Sequence, residues 1–249
     1  VGFAVSSLTS FIIQGEAKDL VAAYRLEKKL KRMTNHIIVC GYGRIGHEVC
    51  AELIRENQPF VVIEQQESAL AGFRSTEHRL ALCGDATQEE LLVQAGIQRA
   101  RALIATIPSD ALNIFIVLTA RSLNPSLTIV SRVAARVNVP KFLNAGCHHI
   151  IQPEKLGAVQ MASLVSRPDL TEFIHQLTEA EGSPFGVQEF TVPESGTTLT
   201  VGQVEAQHLN GGRVIGLRLP DGSYTINPGT DQQLNPGQKL FVLGYLKGS

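Results

Sequence analysis

The segment His36–Gly46, HIIVCGYGRIG, places three glycines at the spacing G-x-G-x-x-G directly after a short apolar run. The residues that follow, Arg44–Asn57, carry apolar side chains with a period of 3.6 residues, which predicts an amphipathic helix. A glycine turn between a buried strand and a helix is typical of doubly wound parallel sheets. This junction therefore favours an α/β architecture.

The same alternation of apolar run and helix continues to residue 153. The predicted strands are 36–40, 60–64, 80–83, 102–107, 127–131 and 149–152. The helices predicted between them are 44–57, 67–76, 88–95, 110–123 and 139–145. Repeated βα units form a parallel sheet with helices on both faces, so we expect a Rossmann-like, doubly wound domain over residues 35–153.

The pattern changes after residue 153. Residues 154–182 are predicted to be helical, with a break at Arg167-Pro168 because proline disfavours helix in the preceding residue. Residues 183–249 contain short strand-like runs around one helix, and Asp221-Gly222 is a strong signal for a hairpin turn. We expect this last part to be a smaller α+β lobe.

Residues 1–34 combine an apolar segment with a basic one. Val1–Ile13 carries no charge, and it is followed by a cluster of positive side chains at Arg25, Lys28, Lys29, Lys31 and Arg32. A basic cluster after an apolar segment is typical of the cytoplasmic end of a membrane helix. The basic segment also fits a solvated amphipathic helix whose apolar side is formed by Leu20, Tyr24, Leu26 and Leu30. These residues alone leave both interpretations open.

The glycine turn predicts a nucleotide site. Gly41 permits the tight turn, Gly43 lets the backbone approach phosphate, and Gly46 lets helix and strand pack closely. The helix N-terminus adds N–H donors and a dipole that favours negative charge. Glu64, at the end of the second strand, can accept hydrogen bonds from ribose hydroxyls and would repel a 2′-phosphate. NAD or an adenosine nucleotide therefore fits better than NADP.

Two further polar residues have two interpretations each. Arg44, within the glycine turn, either bonds phosphate oxygens or is a solvent-exposed residue of the first helical turn. Asp85, in the run Gly84–Thr87 after the third strand, either lies near an adenine or caps the next helix.

Several function classes are disfavoured. The net charge of −1 gives no basic field for a nucleic-acid partner. The four separated cysteines, which include Cys40 and Cys83 within apolar runs, indicate reduced core thiols. The pair Tyr24 and Lys28 precedes the glycine turn, whereas the catalytic pair of short-chain dehydrogenases follows it. The run Cys147-His148-His149 enters a predicted strand, on which neighbouring side chains point to opposite faces and so cannot share one metal. We therefore expect neither catalytic residues nor a metal site built from these side chains.

The ordered motifs NHIIVCGYGRIG, FVVIE, GDAT, ALIAT, LTIVSR and NAGCHHIIQPEKLGA resemble the RCK (regulator of K⁺ conductance, or TrkA-N) domain of prokaryotic potassium channels. The later run GQKLFVLG is similar to the companion TrkA-C lobe. The resemblance implies a ligand-sensing domain without catalysis, on the cytoplasmic side of the cell membrane. It also implies self-association as dimers, with eight domains in a gating ring beneath the pore.

The resemblance assigns a role to each region of the chain. Residues 1–34 become the end of the inner pore helix and the basic linker through which the domain contacts the channel pore. Residues 35–153 become the nucleotide-binding lobe, residues 154–182 the crossover and dimerisation helices, and residues 183–249 the TrkA-C-like lobe.

The resemblance also implies which residues bind the ligand. The phosphates are assigned to the glycine turn, Gly41, Tyr42, Gly43, Arg44, Ile45 and Gly46. Ribose is assigned to Glu64, adenine to the neighbourhood of Asp85 and Ala86, and further contacts to Thr106 and Arg132 at later strand ends. The expected ligand is NAD(H), with ATP, ADP or AMP as alternatives.

One departure concerns divalent cations. Calcium-gated members carry glutamates where this chain has Arg132 and Ala134, and a guanidinium repels the cation. Asp85, Glu89 and Glu90 leave room for a different divalent site. Two alternative functions stay open: a soluble TrkA/KtrA-like regulatory subunit of a K⁺ transporter, and an NAD-dependent oxidoreductase.

Overall fold

The computed structural model describes residues 16–73, 80–179, 185–194 and 198–245. The chain divides into two compact units, residues 1–158 and 159–249, each with its own sheet. Val1–Ile13, assigned above to a membrane helix, lies outside the described residues. Within the described ranges, none of the helices combines the length and the apolar character needed to cross a membrane.

Six parallel strands form the sheet of the first unit. They are β1 (Ile37–Cys40), β2 (Phe60–Glu64), β3 (Leu80–Cys83), β4 (Ala102–Ala105), β5 (Thr128–Arg132) and β6 (His149–Ile151). Their order across the sheet is β3-β2-β1-β4-β5-β6, and each neighbouring pair is parallel. The predicted doubly wound, Rossmann-like sheet is confirmed.

Helices precede the sheet, connect its strands or follow its last strand. They are α1 (Glu16–Arg32), α2 (Arg44–Arg55), α3 (Glu67–Leu70), α4 (Glu89–Gln94), α5 (Asp110–Leu123), α6 (Val139–Asn144) and α7 (Pro153–Ser166). Short 3₁₀ turns occupy Ile97–Arg99 and Arg136–Asn138. The helix predicted over residues 67–76 is shorter than expected, since α3 ends at Leu70 and residues 74–79 are not described.

Both faces of the central strand β1 are buried, which explains why this strand is a continuous apolar run. In β1, Ile38 and Cys40 pack into one hydrophobic cluster, whereas Ile37 and Val39 pack into another. The alternation follows from the two-residue period of a strand. Helices must therefore cover both sides.

The carboxyl-terminal end of α1 is fixed to the first unit. Leu30 is fully buried and Leu26 packs against the same core, as the amphipathic interpretation predicted. Tyr24 was expected on that apolar side, and this is wrong, because 66% of it is exposed. Arg99 Nε donates to the Met33 carbonyl at 3.1 Å, and its Nη2 donates to the Leu30 carbonyl at 3.2 Å.

The second unit contains the rest of α7, α8 (Pro168–Glu179) and a small α+β lobe. The helix break predicted at residue 167 is confirmed. The lobe comprises β7 (Phe185–Thr191), β8 (Leu199–Thr200), α9 (Val201–His208), β9 (Arg213–Arg218), β10 (Tyr224–Ile226), β11 (Gln233–Leu234) and β12 (Lys239–Tyr245). An antiparallel sheet has the order β10-β9-β12-β7, and β8 pairs with β11. The hairpin predicted at Asp221-Gly222 joins β9 to β10, with Gly222 at φ +85°.

Candidate nucleotide-binding site

The glycine turn after β1 has three glycines in three different environments. Gly41 adopts φ +98°, a left-handed conformation that disfavours residues with a side chain. A Cβ atom on Gly46 would lie only 2.1 Å from the Gly41 carbonyl oxygen, so only glycine lets α2 start this close to β1. A Cβ atom on Gly43 would meet nothing within 4 Å, so this backbone faces open space.

The N-terminus of α2 has free capacity for an anion. Its N-cap is Gly43, no side chain caps it, and its first turn contains no acidic residue. The first N–H groups of a helix have no partner within the helix and carry partial positive charge. Arg44 is exposed at this end, and Ile45 is half-buried. A phosphate group would satisfy these donors.

Glu64 lies beside the turn at the end of β2. Its Oε2 accepts a hydrogen bond from the backbone nitrogen of Tyr42 at 2.6 Å, and its Oε1 accepts one from Gln66 at 2.8 Å. These bonds fix the carboxylate, which is half-buried, while the oxygens retain lone pairs for further donors. The Tyr42 ring packs edge-on against Phe73, with centroids 4.9 Å apart.

The turn after β3 continues this edge of the sheet, because the Gly84 backbone nitrogen donates to the Glu64 carbonyl at 2.9 Å. Asp85 Oδ1 accepts hydrogen bonds from the Thr87 backbone nitrogen at 2.9 Å and the Thr87 hydroxyl at 2.8 Å. The helix-capping interpretation of Asp85 is wrong, since Gln88 is the N-cap of α4. Ala86 is buried in the core, so its methyl group faces away from solvent.

Thr106 lies beneath the glycine turn. It is buried, and its hydroxyl lies 2.9 Å from the Gly41 carbonyl oxygen and 3.0 Å from the Cys40 carbonyl oxygen. A hydroxyl has one hydrogen to donate, so these two carbonyls share it. Thr106 therefore holds the end of β1 against the end of β4. The sequence places it at a strand end but gives no sign of these bonds.

A cavity of about 330 Å³ opens between the glycine turn and the ends of β4, β5 and β6. Arg132 and Glu154 form an ion pair there, with Arg132 Nη2 2.5 Å from Glu154 Oε1. The sequence gives no sign of a role for Glu154, because a glutamate in the first turn of a helix is ordinary. The lining residues are Gly43, Arg44, Ile45, Thr106, Pro108, Arg132, Pro153 and Glu154.

The described residues bring together no group of three or more histidine, cysteine or acidic side chains able to hold a metal. Asp85, Glu89 and Glu90 therefore do not form such a group. None of the four cysteines, all of which lie in the described ranges, forms a disulfide. Cys40, Cys50 and Cys147 are buried as predicted, and burial raises the pKa of Cys40 to about 12. The prediction that Cys83 is a core thiol is wrong, because it is exposed at the end of β3.

Comparisons with known proteins agree with this architecture. The TrkA-N domain family matches residues 37–153. The chain is 30% identical over 98% of its length to the probable potassium channel protein 2 of Methanocaldococcus jannaschii, of which the match covers 73%. It is 28% identical over 98% of its length to potassium channel protein 1 of the same organism, again covering 73% of that protein.

A solved structure of the TrkA-N domain of the inner membrane protein ybaL from Escherichia coli is also similar. It aligns with a TM-score of 0.52 and 30% identity, covering 54% of this chain and 99% of that domain. The resemblance inferred from the sequence motifs is confirmed. The chain therefore belongs to the TrkA-N (RCK) family, and potassium channel proteins are its relatives over nearly its whole length.

Proposed function

We propose that this chain is the ligand-sensing regulatory part of a potassium channel, and that it binds NAD(H) or an adenine nucleotide to control pore opening. The observation that carries the proposal is the uncapped N-terminus of α2 at an open Gly43, with the fixed Glu64 carboxylate beside it. These are the groups that a phosphate and a ribose need at one edge of a Rossmann-like sheet.

Each part of the nucleotide has a matching protein group. A phosphate group bonds the N–H donors at the start of α2 and the guanidinium of Arg44. The ribose hydroxyls donate to Glu64, and adenine extends along the turn that contains Asp85. Burial of Ala86 and the bonds made by Thr106 give these two residues supporting roles rather than direct ones.

The side chains that line the cavity next to the glycine turn favour a regulatory function over an oxidoreductase reaction. Its ionisable lining residues are Arg44, Arg132 and Glu154, and Glu154 is paired with Arg132. Hydride transfer to or from an alcohol needs a proton donor or acceptor beside the nicotinamide, and arginine is a poor one because it stays protonated. The relatives that match nearly the whole chain are named as channels.

In this proposal the domain works on the cytoplasmic side of the membrane as dimers within a ring of eight copies. Residues 154–182 form the dimer, and residues 1–34 connect the ring to the pore. The ligand shifts the ring between two conformations only by the difference in its affinity for them, about 1–3 kcal/mol in typical cases. The second candidate, a regulatory subunit of a K⁺ transporter, would show the same nucleotide binding without a pore encoded on the same polypeptide.

Isothermal titration calorimetry of the 249-residue chain with NAD, NADH, AMP, ADP and ATP tests the site. We expect binding of at least one nucleotide, and a loss of about tenfold or more in affinity for Glu64→Ala and for Arg44→Ala. Arg55→Ala is the control, because Arg55 is exposed at the other end of α2 and pairs with Glu52. Unchanged affinity in both site variants would contradict the proposed site. Turnover of NAD with an alcohol substrate would contradict the regulatory function.

A further inference from the structure

The ion pair between Arg132 and Glu154 lines the same cavity as Gly43 and Arg44. Its two side chains differ in environment, because 15% of the Arg132 side chain is exposed, against 63% of the Glu154 side chain. Arg132 ends β5 and is held by the sheet, whereas Glu154 lies in the first turn of α7. A largely buried cation therefore faces the open site with a largely solvated carboxylate as its partner.

The hydrogen-bonding capacity of Arg132 exceeds what this partner uses. A guanidinium has five N–H donors. Within the part of the chain that the structure describes, the Arg132 side chain bonds only Glu154, through Nη2, and its buried Nε has no acceptor. A phosphate offers more acceptor oxygens and more charge than one carboxylate, so it is the better partner for this cation.

Glu154 is subject to two positive charges at the site. Its pKa is lowered by its own backbone N–H, then by the hydrogen bond from Arg132, with a smaller effect from the charge of Arg44. The carboxylate is therefore ionised at neutral pH, and it occupies a position that both guanidinium groups favour for an anion. A phosphate that approaches Arg132 meets this carboxylate as a repulsive group.

We propose that Arg132 is a second phosphate ligand of the nucleotide site, and that Glu154 is an internal competitor which holds Arg132 until a phosphate replaces it. The inference rests on the proposed nucleotide binding. The ligand is then a nucleotide with at least two phosphate groups, of which one binds the N-terminus of α2 and another binds Arg132. Because Glu154 belongs to α7, the exchange frees the first turn of the helix that continues to Ser166.

Calorimetry with ADP and AMP, on the full chain and its variants, tests this exchange. Glu154→Gln should raise the affinity for ADP by about fivefold to tenfold and leave the affinity for AMP unchanged. Arg132→Gln should lower the affinity for ADP by about tenfold, again without effect on AMP. In the double variant the gain from Glu154→Gln should disappear, because the competitor acts only through Arg132.

The controls separate this inference from the proposed function. Glu90→Gln changes another exposed first-turn glutamate, on α4, and should alter neither affinity. Equal ADP affinity in the wild type and Glu154→Gln, or equal losses of AMP and ADP affinity in Arg132→Gln, would overturn the exchange while leaving the nucleotide site intact. Binding of no nucleotide by the wild type would overturn the proposed function and the exchange with it. Thermal unfolding of each variant shows whether the fold is retained.

Discussion

Tyr42 and Glu64 are joined by a hydrogen bond of 2.6 Å, in which the backbone nitrogen of Tyr42 donates to Oε2 of Glu64. The bond connects the glycine turn after β1 to the end of β2. Glu64, which is proposed to bind the ribose, therefore also holds the glycine turn that is proposed to bind phosphate. Binding and loop geometry are coupled through one carboxylate.

This coupling predicts that Glu64→Ala affects stability as well as binding. Two backbone N–H groups lose a charged acceptor, so we expect the free energy of unfolding to fall by about 1–3 kcal/mol in urea denaturation. Glu64→Gln keeps an oxygen that can accept from Tyr42, so its loss should be smaller. Equal destabilisation by the two variants would show that a neutral amide oxygen does not replace the carboxylate as the acceptor for Tyr42.

The two glycines Gly43 and Gly46 offer a matched pair of substitutions. Gly46→Ala places a methyl group 2.1 Å from the Gly41 carbonyl oxygen, so we expect destabilisation by about 3 kcal/mol in thermal or urea unfolding. Gly43→Ala meets nothing within 4 Å and should change stability by no more than about 0.5 kcal/mol. It should nevertheless weaken nucleotide binding, because its methyl group occupies the space in front of the α2 N-terminus. Unaltered nucleotide affinity in Gly43→Ala would argue against a phosphate at this position.

Arg99→Ala should loosen the end of α1. The Leu30 and Met33 carbonyls lose their guanidinium donors, which should cost about 0.5–2 kcal/mol, as for the loss of a helix cap. Hydrogen exchange should become faster for the backbone amides of residues 24–33. Arg101→Ala is the control, because the side chain of this exposed arginine bonds only the Gln58 side chain among the contacts described. This variant should leave the exchange of residues 24–33 unchanged.

Asp110 predicts a pH dependence of stability. Burial tends to raise its pKa, but hydrogen bonds from the Ala134 and Ala135 nitrogens and the Asn138 amide, with the charge of Arg132, bring the pKa below its ordinary value of 3.8. The ionised group therefore stabilises the fold above pH 3.8, and this stabilisation is lost as the pH falls through the lower folded-state pKa. Asp110→Asn should be less stable than the wild type at about pH 6, and the gap should narrow at about pH 2.5. A gap of constant size in urea unfolding would contradict this assignment.

The fold of the first unit could be predicted because its strands are short, mostly apolar and separated by helices. Both faces of the sheet are covered, so the residues of β1 had to be apolar in succession, which marks a buried parallel strand in the sequence. The antiparallel lobe was recognisable from turn residues such as Asp221-Gly222. The predictions that Cys83 and Tyr24 are buried were wrong, because the local sequence does not decide whether these side chains are exposed. Cys83 ends an edge strand, and Tyr24 lies on α1 before the part that packs on the core.

The candidate site was predictable only in part, for a related reason. The glycines and Glu64 have fixed spacings relative to a strand, so their positions follow from the sequence. The sequence did not reveal that Asp85 bonds Thr87. The carboxylate of Asp85 accepts hydrogen bonds from the Thr87 backbone nitrogen and hydroxyl instead of capping α4. The pair Arg132 and Glu154 is separated by 22 residues and meets only because β5 and β6 are neighbours in the sheet.

The position of Arg99 has a mechanical consequence. It precedes β4 and holds the end of α1, while Asn35, whose backbone nitrogen donates to the Arg99 carbonyl at 2.8 Å, precedes β1. The basic helix is thus attached where β1 and β4 begin, and the glycine turn and Thr106 lie where they end. The attachment of the basic helix and the glycine turn are separated by the length of these strands, four residues or about 13 Å. In the proposed function, a displacement at the nucleotide site would reach the basic helix through the hydrogen-bonded backbone of these strands and through the contacts of Arg99.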